Sequence, residues 1–354
     1  MKVLLVRTGA MGDVIHALPA VAALRRARPD WTLDWIIDPR WAPLLTAVDS
    51  PSADHGRGVG LGPIVNRVHL AETKLWSKTP ISLATLRSIR QLHSALRAEH
   101  YDLAIDLQGT LRSAVIGRFA SATVLAGYAA PREALAARFY SRRIARSGAH
   151  IVAMNTDLLS TATGVELQPE PFALPVEPWA EDWAERDAVL RRPLALLAAG
   201  GGWAAKHWPN ARYGALAQEL NASGYDVIVN APRKDDPTAL AVGSASRGAA
   251  RMVVCNVSGL IALLRRVDLV IGGDTGPLHL GAALAIPTVA LFGPTSPERN
   301  GPWGPGSKVI LRDAASTTSY KKSSEPDPGL AGITVEQVLA AVVEVAAPPP
   351  QPSI

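Results

Sequence analysis

Three short stretches combine residue types that do chemistry with residue types that bend backbone. Near the start, "RTGAMGDVIHALPAV" (7–21) follows the apolar run "KVLLV" and puts Asp13 at the beginning of a helix. Later, "AGGGWAAKHWP" (199–209) sets Lys206 just beyond three glycines, and "GGDTGPLHLGAAL" (272–284) sets Asp274 and Thr275 ahead of His279. A carboxylate, a cation and a glycine-opened helix start are the parts needed to accept a proton and to hold an anion.

The first stretch resembles the strand-to-helix turn of a dinucleotide-binding fold, but its glycines do not fit. That turn needs G-x-G-x-x-G so that backbone can approach a pyrophosphate at the helix start. Only Gly9 and Gly12 are present, and a carboxylate at Asp13 would repel phosphate from the place the helix dipole favours. The nucleotide is therefore expected elsewhere. Two readings of Asp13 stay open: an N-cap that accepts orphan N–H groups, or a base that takes a hydroxyl proton as bond formation acidifies it. His16, one turn on, reads as a packing residue.

The later stretches read as the anion site. The glycine pair ends a strand, Asp274 is expected to cap the next helix, and Pro277 fits its first turn. Thr275 and Gly276 would offer backbone N–H groups to a diphosphate, with His279 on the same helical face. Gly200, Gly201 and Gly202 permit close backbone approach, and Lys206 supplies a cation for phosphate or leaving-group charge. In "APRKDDP" (231–237), Asp235 and Asp236 stand where an acid usually meets ribose hydroxyls.

These residues need strands to end beside helices, and the chain alternates accordingly. In the first half, "KVLLVR", "TLDWIID", "VNRVHL", "YDLAIDLQG" and "TVLAGY" read as strands. Helices are expected over "VIHALPAVAALRRA", "ISLATLRSIRQLHSALRAEH", "TLRSAVIGRFAS", "REALAARFYSRRI" and "HIVAMNTDLLSTA". In the long one, Leu83, Leu86, Ile89, Leu92 and Leu96 form the expected buried stripe. Residues 168–178 hold four prolines, a linker composition. After it, "LALLAAG", "YDVIVN", "RMVVCNV", "LVIGG" and "TVALFGPT" alternate with helices again. Such alternation predicts parallel sheets covered on both faces. The expected fold is α/β, two facing Rossmann-like doubly wound domains with a cleft between them. The expected limits are 1–170, a linker 171–179, a second domain 180–332, a helix 333–346 and a disordered tail 347–354.

Composition narrows the function classes. The 354 residues are 48% apolar and 19% charged, a soluble globular mix. The lone Cys255 cannot form an internal disulfide, reads as a core residue and fits a reducing compartment. No apolar run is long enough to span a bilayer, and the opening run is too short for a secretory signal. The net charge of +5 is uneven: residues 1–175 carry 20 Lys+Arg against 14 Asp+Glu, while residues 176–354 carry 16 against 17. The first half is thus expected to meet an anionic partner. Nucleic acid is excluded, because no aromatic residues interleave with the arginines.

"RTGAMGDVIHALPAV", "KHWP" (206–209), "DTGPLHLGAAL" (274–284) and "LFGPTSPERNGPWG" (291–304) together resemble the lipopolysaccharide heptosyltransferases. "DLQGTLRSA" (106–114) and "PREALAARFYSRRI" (131–144) are most similar to the first heptosyltransferase of that family. The resemblance implies a GT-B fold and metal-independent, inverting transfer of heptose from ADP-heptose to the Kdo sugars of lipid A. It implies Asp13 as general base. Gly201, Gly202, Lys206, Asp236, Asp274, Thr275, Gly276 and His279 would bind the donor. Lys74 and Lys78, read as a loop, would meet acceptor carboxylates with Gln108, Arg112 and Arg132. It also implies no cofactor and a cytoplasmic enzyme peripheral at the inner membrane. The sequence itself demands no more than a monomer and shows no amphipathic anchor. A second-type heptosyltransferase, a nucleotide-sugar epimerase and a catalytically silent relative are the competing readings.

Overall fold

The computed structural model describes residues 1–47, 64–188, 193–201, 204–306, 308–314, 316, 318 and 327–346. The chain divides into two compact units, Met1–Pro175 and Val176–Ile354. The division falls inside the proline-rich stretch.

Unit one is a parallel sheet of β1 (Lys2–Val6), β2 (Thr32–Ile37), β3 (Arg67–Leu70), β4 (Leu103–Asp106), β5 (Val124–Tyr128) and β6 (Arg142–Ile144), in the order β3-β2-β1-β4-β5-β6. Its helices are α1 (Met11–Ile15), α2 (Leu18–Ala27), α3 (Thr73–Lys78), α4 (Leu83–Ala98), α5 (Leu111–Phe119) and α6 (Ile151–Thr163). The apolar runs form central strands because both sheet faces are covered. Leu4, Val6 and Ala104 pack under Leu92, Leu96 and Ala114, each large side chain contributing roughly 1.5–3 kcal/mol. Ser82 caps α4 by accepting the Thr85 N–H at 3.1 Å, and Thr110 caps α5 by accepting that of Ser113 at 3.2 Å.

Unit two repeats the plan. Its strands are β7 (Leu194–Ala198), β8 (Asp226–Ala231), β9 (Ala250–Val254), β10 (Leu269–Gly273), β11 (Thr288–Phe292) and β12 (Lys308–Arg312), in the order β12-β11-β10-β7-β8-β9. Its helices are α7 (Pro178–Trp183), α8 (Asn210–Ala222), α9 (Pro237–Ala245), α10 (Val257–Leu264), α11 (Gly276–Ala283), α12 (Pro297–Asn300), α13 (Pro328–Gly332) and α14 (Val335–Ala346). Helix α14 is part of this unit's core, burying Val338, Ala341, Val342 and Val345 beside Ile271 and Val289.

Five expectations need correction. The helix expected across 132–144 is a 3-10 turn over Ala134–Phe139 followed by edge strand β6, because Tyr140 turns inward to donate to Asp106 at 2.7 Å. The helix expected over "VIHALPAVAALRRA" breaks at His16–Ala17, since Pro19 inside a continuous helix would strand a carbonyl and clash with it. Lys74 and Lys78 lie on α3, not in a loop. On α4 the buried stripe is Thr85, Leu92 and Leu96, while Leu83 and Leu86 face outward. Thr85 Oγ1 donates to Thr79 O (2.7 Å) and accepts from Ser82 Oγ (3.1 Å), which fixes that rotation. Cys255 sits half-buried just past β9, not in it, and burial still pushes its thiol up to about 12. The linker's end also differs, since α7 already starts at Pro178, and the expected tail, 347–354, lies outside the described residues.

Candidate active site

In both units the strand order reverses beside the first strand, between β1 and β4 and between β7 and β10. Open α/β sheets bind ligands at the carboxyl ends of strands at such a point. Each unit places its reactive side chains there.

In unit one, Arg7 follows β1 directly and its guanidinium is buried. Nη1 donates to the Leu107 carbonyl past β4, and Nη2 lies 2.8 Å from Oδ1 of Asp13. Asp13 is the third residue of α1, so it is not the N-cap; that position is Ala10. Its Oδ2 instead accepts the Ala10 N–H at 3.1 Å, and the side chain remains 38% exposed. The carboxylate is thus held from two sides and still open to solvent. Gly9 makes room for this turn: its φ is +151°, and a Cβ there would sit 2.6 Å from Trp41 Nε1.

The β4 end supports the same turn. Gln108 Oε1 accepts from both the N–H and the hydroxyl of Thr8 at 2.8 Å. Asp106 is fully buried and collects four donors: the N–H groups of Gln108 (2.8 Å) and Gly109 (3.1 Å), and the hydroxyls of Ser113 (2.8 Å) and Tyr140 (2.7 Å). Burial pushes its carboxyl up, against the hydrogen bonds that hold it down. Arg132 abuts Gly109, and Arg112 lies exposed in the first turn of α5. Lys74 and Lys78 are exposed on α3, which Thr73 ties to Asp38 at the β2 end through a 2.6 Å bond. Arg40 pairs with the same Asp38. Sequence reasoning missed Arg7, Asp38 and Asp106; the signal available for Arg7 was its place directly behind an apolar strand.

In unit two, Lys206 Nζ lies 2.5 Å from Oδ2 of Asp274, and His279 Nε2 lies 2.8 Å from Oδ1. Burial would raise the Asp274 carboxyl, but the hydrogen bond to His279 and the nearby Lys206 ammonium hold it well below the usual carboxylate range. Gly273 allows the approach, since a Cβ there would meet the Lys206 carbonyl at 2.8 Å. The expected cap is corrected here too: Thr275, not Asp274, is the N-cap of α11, because the Asp274 carboxylate is engaged by Lys206 and His279. Thr275 makes no side-chain cap bond, and its buried Oγ1 finds no hydrogen-bond partner among the described residues. The first-turn N–H groups of Gly276 and Leu278 have no intrahelical acceptor either. Gly201 lies against this cluster, as a Cβ on it would meet Thr275 Cγ2 at 3.3 Å. Gly202 is outside the described residues. Asp236 caps α9 by accepting the Ala239 N–H at 3.0 Å, and Asp235 pairs with Arg233 in solvent. His16 packs edge-on against His150 and accepts from Asn155 through its carbonyl.

The arrangement offers a held carboxylate in one unit and, in the other, a helix start beside an ammonium and an unpartnered buried hydroxyl. Among the described residues, no group of three or more His, Cys, Asp or Glu is placed to hold a metal ion, and no helix is long and apolar enough to cross a membrane. The model of glycosyltransferase family 9 (heptosyltransferase) matches residues 89–328.

The chain belongs to glycosyltransferase family 9.

The family carries over to whole-length similarity. The chain is 32% identical to the lipopolysaccharide heptosyltransferase 1 of Pseudomonas aeruginosa over 337 residues, covering 93% of this chain and 88% of that protein. It is 28% identical to the lipopolysaccharide heptosyltransferase 1 of Escherichia coli K12, covering 87% and 93%. Among solved structures it is similar in fold to E. coli heptosyltransferase WaaC with ADP, at a TM-score of 0.75 and 24% identity, covering 98% of this chain and 100% of that one. This family 9 chain is therefore a glycosyltransferase with the GT-B type of fold, built from two Rossmann-like sheets.

Proposed function

We propose that this family 9 transferase moves heptose from ADP-heptose to a Kdo-lipid A acceptor with inversion at the anomeric carbon. The observation that carries the donor half is the cluster at the β7–β10 switch point. A diphosphate fits a site with an ammonium, a helix start and an unpaired buried hydroxyl. In this reading Lys206, Thr275, Gly276, Gly201 and His279 take the diphosphate, Gly202 completes the glycine turn, Asp274 meets heptose hydroxyls and Asp236 meets ribose.

The acceptor hydroxyl attacks the anomeric carbon and the bond from that carbon to the β-phosphate oxygen breaks. The hydroxyl proton goes to Asp13, and ADP leaves with its negative charge met by Lys206 and the α11 N–H groups. A single displacement inverts the carbon. Lys74, Lys78, Gln108, Arg112 and Arg132 recognise acceptor carboxylates and phosphates, with arginine supplying bidentate geometry. In this reading the enzyme works as a metal-independent monomer at the cytoplasmic face of the inner membrane. The relatives' names support the substrate class, and the basic excess of unit one supports an anionic acceptor.

The test is a mass assay with purified protein, ADP-heptose and Kdo-terminated lipid A in EDTA. One heptose added to the acceptor supports the reading. Donor binding without any mass change would remove the acceptor, and no donor binding would remove the donor.

A further inference from the structure

The rotation of α4 leaves an outward face that the sheet never covers. Leu83 is 85% exposed, Leu86 is 54% exposed, and Ile81, just before the helix, is 88% exposed. On the same outward side stand Arg87, Arg90 and Arg97, all exposed. The spacing explains the grouping: Leu83 and Arg87, and Leu86 and Arg90, are four apart, and Arg90 and Arg97 are seven apart, so each pair shares a face.

The charge along this segment has one sign. From Thr73 to Ala98 the sequence contains Lys74, Lys78, Arg87, Arg90 and Arg97 and not a single Asp or Glu. Those five charges equal the net +5 of the whole chain. Glu72 and Glu99 bound the segment, and Glu99 is already engaged by Lys2 and Arg67. Trp76 donates to Ser88 Oγ at 3.1 Å, which fixes α3 against α4. Three exposed apolar residues amid cations, on a braced helix, are costly in water without a partner. Apolar tips that enter an acyl boundary under a ring of Lys and Arg are the pattern of an interfacial helix, matched to an anionic surface.

We propose that the outward face of α4, with Ile81, Leu83 and Leu86 inserted and Arg87, Arg90 and Arg97 on headgroup phosphates, docks this protein on an anionic phospholipid bilayer. This deepens the membrane-face part of the function proposed above and does not depend on the acceptor. The charge of the segment selects a lipid surface over a second copy of the chain, whose same face would repel it. It also replaces the expectation that no amphipathic anchor exists.

The experiment is co-sedimentation with vesicles that contain no sugar acceptor: phosphatidylcholine alone, and phosphatidylcholine with 30% phosphatidylglycerol, whose negative surface attracts basic segments. The protein should pellet with the anionic vesicles, release at least tenfold in 0.5 M salt, and ignore the neutral ones. The triple variant Ile81→Ser, Leu83→Ser, Leu86→Ser and the double variant Arg87→Glu, Arg90→Glu should each weaken binding at least tenfold. Both alter exposed side chains, so unchanged circular dichroism and unchanged heptose transfer to a water-soluble, delipidated acceptor are expected alongside. Three results would overturn the proposal: no binding by the wild type, undiminished binding by both variants, or a wild-type dimer that the serine variant turns into a monomer. Loss of transfer to the soluble acceptor in the wild type itself would instead count against the function and leave the docking face standing.

Discussion

Arg7 Nη2 lies 2.8 Å from Oδ1 of Asp13, while Arg7 itself is buried at the end of β1 and anchored to the Leu107 carbonyl. The link turns a solvent-open carboxylate into a fixed one. Arg7 Nε finds no acceptor among the described residues, so the guanidinium is kept at some cost in desolvation. Replacing Arg7 by Met would leave the Leu107 carbonyl without this donor and leave Asp13 with only the Ala10 N–H. We expect stability to fall by about 1.5–3 kcal/mol, the scale of a charged hydrogen bond. Turnover should fall at least tenfold while the donor KM stays within about twofold, and Arg7→Lys should restore part of kcat. Steady-state kinetics beside thermal melts would read this; a change confined to donor KM would show that Arg7 does not serve Asp13.

Thr275 offers the opposite case, a buried hydroxyl without a partner at the start of α11. Thr275→Val keeps the shape and removes the unmet group. The free protein should be as stable as before or gain up to about 1 kcal/mol, because an unsatisfied buried polar group costs that order of free energy. ADP should bind several-fold more weakly in calorimetry. Unchanged ADP affinity would take the hydroxyl out of the donor site.

Much of this was legible in the sequence. Ten of the strands were legible, nine of them from largely apolar runs as expected of covered sheets, while β3 is a half-exposed "RVHL". Asp13, Lys206, Asp274, Thr275 and His279 were legible because glycines and a proline mark where strands end and helices start. What stayed hidden depends on partners far along the chain. Tyr140 abandons a helical pattern for a bond to Asp106, and Leu83 breaks from its stripe because Thr79 and Ser82 hold Thr85. The capture of Asp274 by Lys206, 68 positions away, decides that Thr275 is the cap. Strand β12 reads "KVILR" with alternating exposure, an edge pattern too short to stand out.

Asp274 also sets a pH dependence with a definite sign. Its folded-state value is depressed despite burial, through His279 and Lys206. The stability it contributes is therefore present above the unfolded carboxylate value of about 3.9. It is lost as pH falls from there toward the folded value. Melting temperatures of wild type and Asp274→Asn should differ most near neutrality and converge below about pH 4. A difference that widens on acidification would contradict the assigned sign.

The measurement that bears most directly on the central claim follows Asp13→Ala in two assays at once: calorimetric binding of ADP-heptose and mass-detected heptose transfer to Kdo-terminated lipid A. Asp13 stands in a different unit from the Lys206–Asp274 cluster, so the account predicts donor affinity within about twofold of wild type and a loss of turnover of at least ~100-fold, the usual scale for removing a general base. Transfer at the wild-type rate by the Asp13→Ala protein would contradict the account.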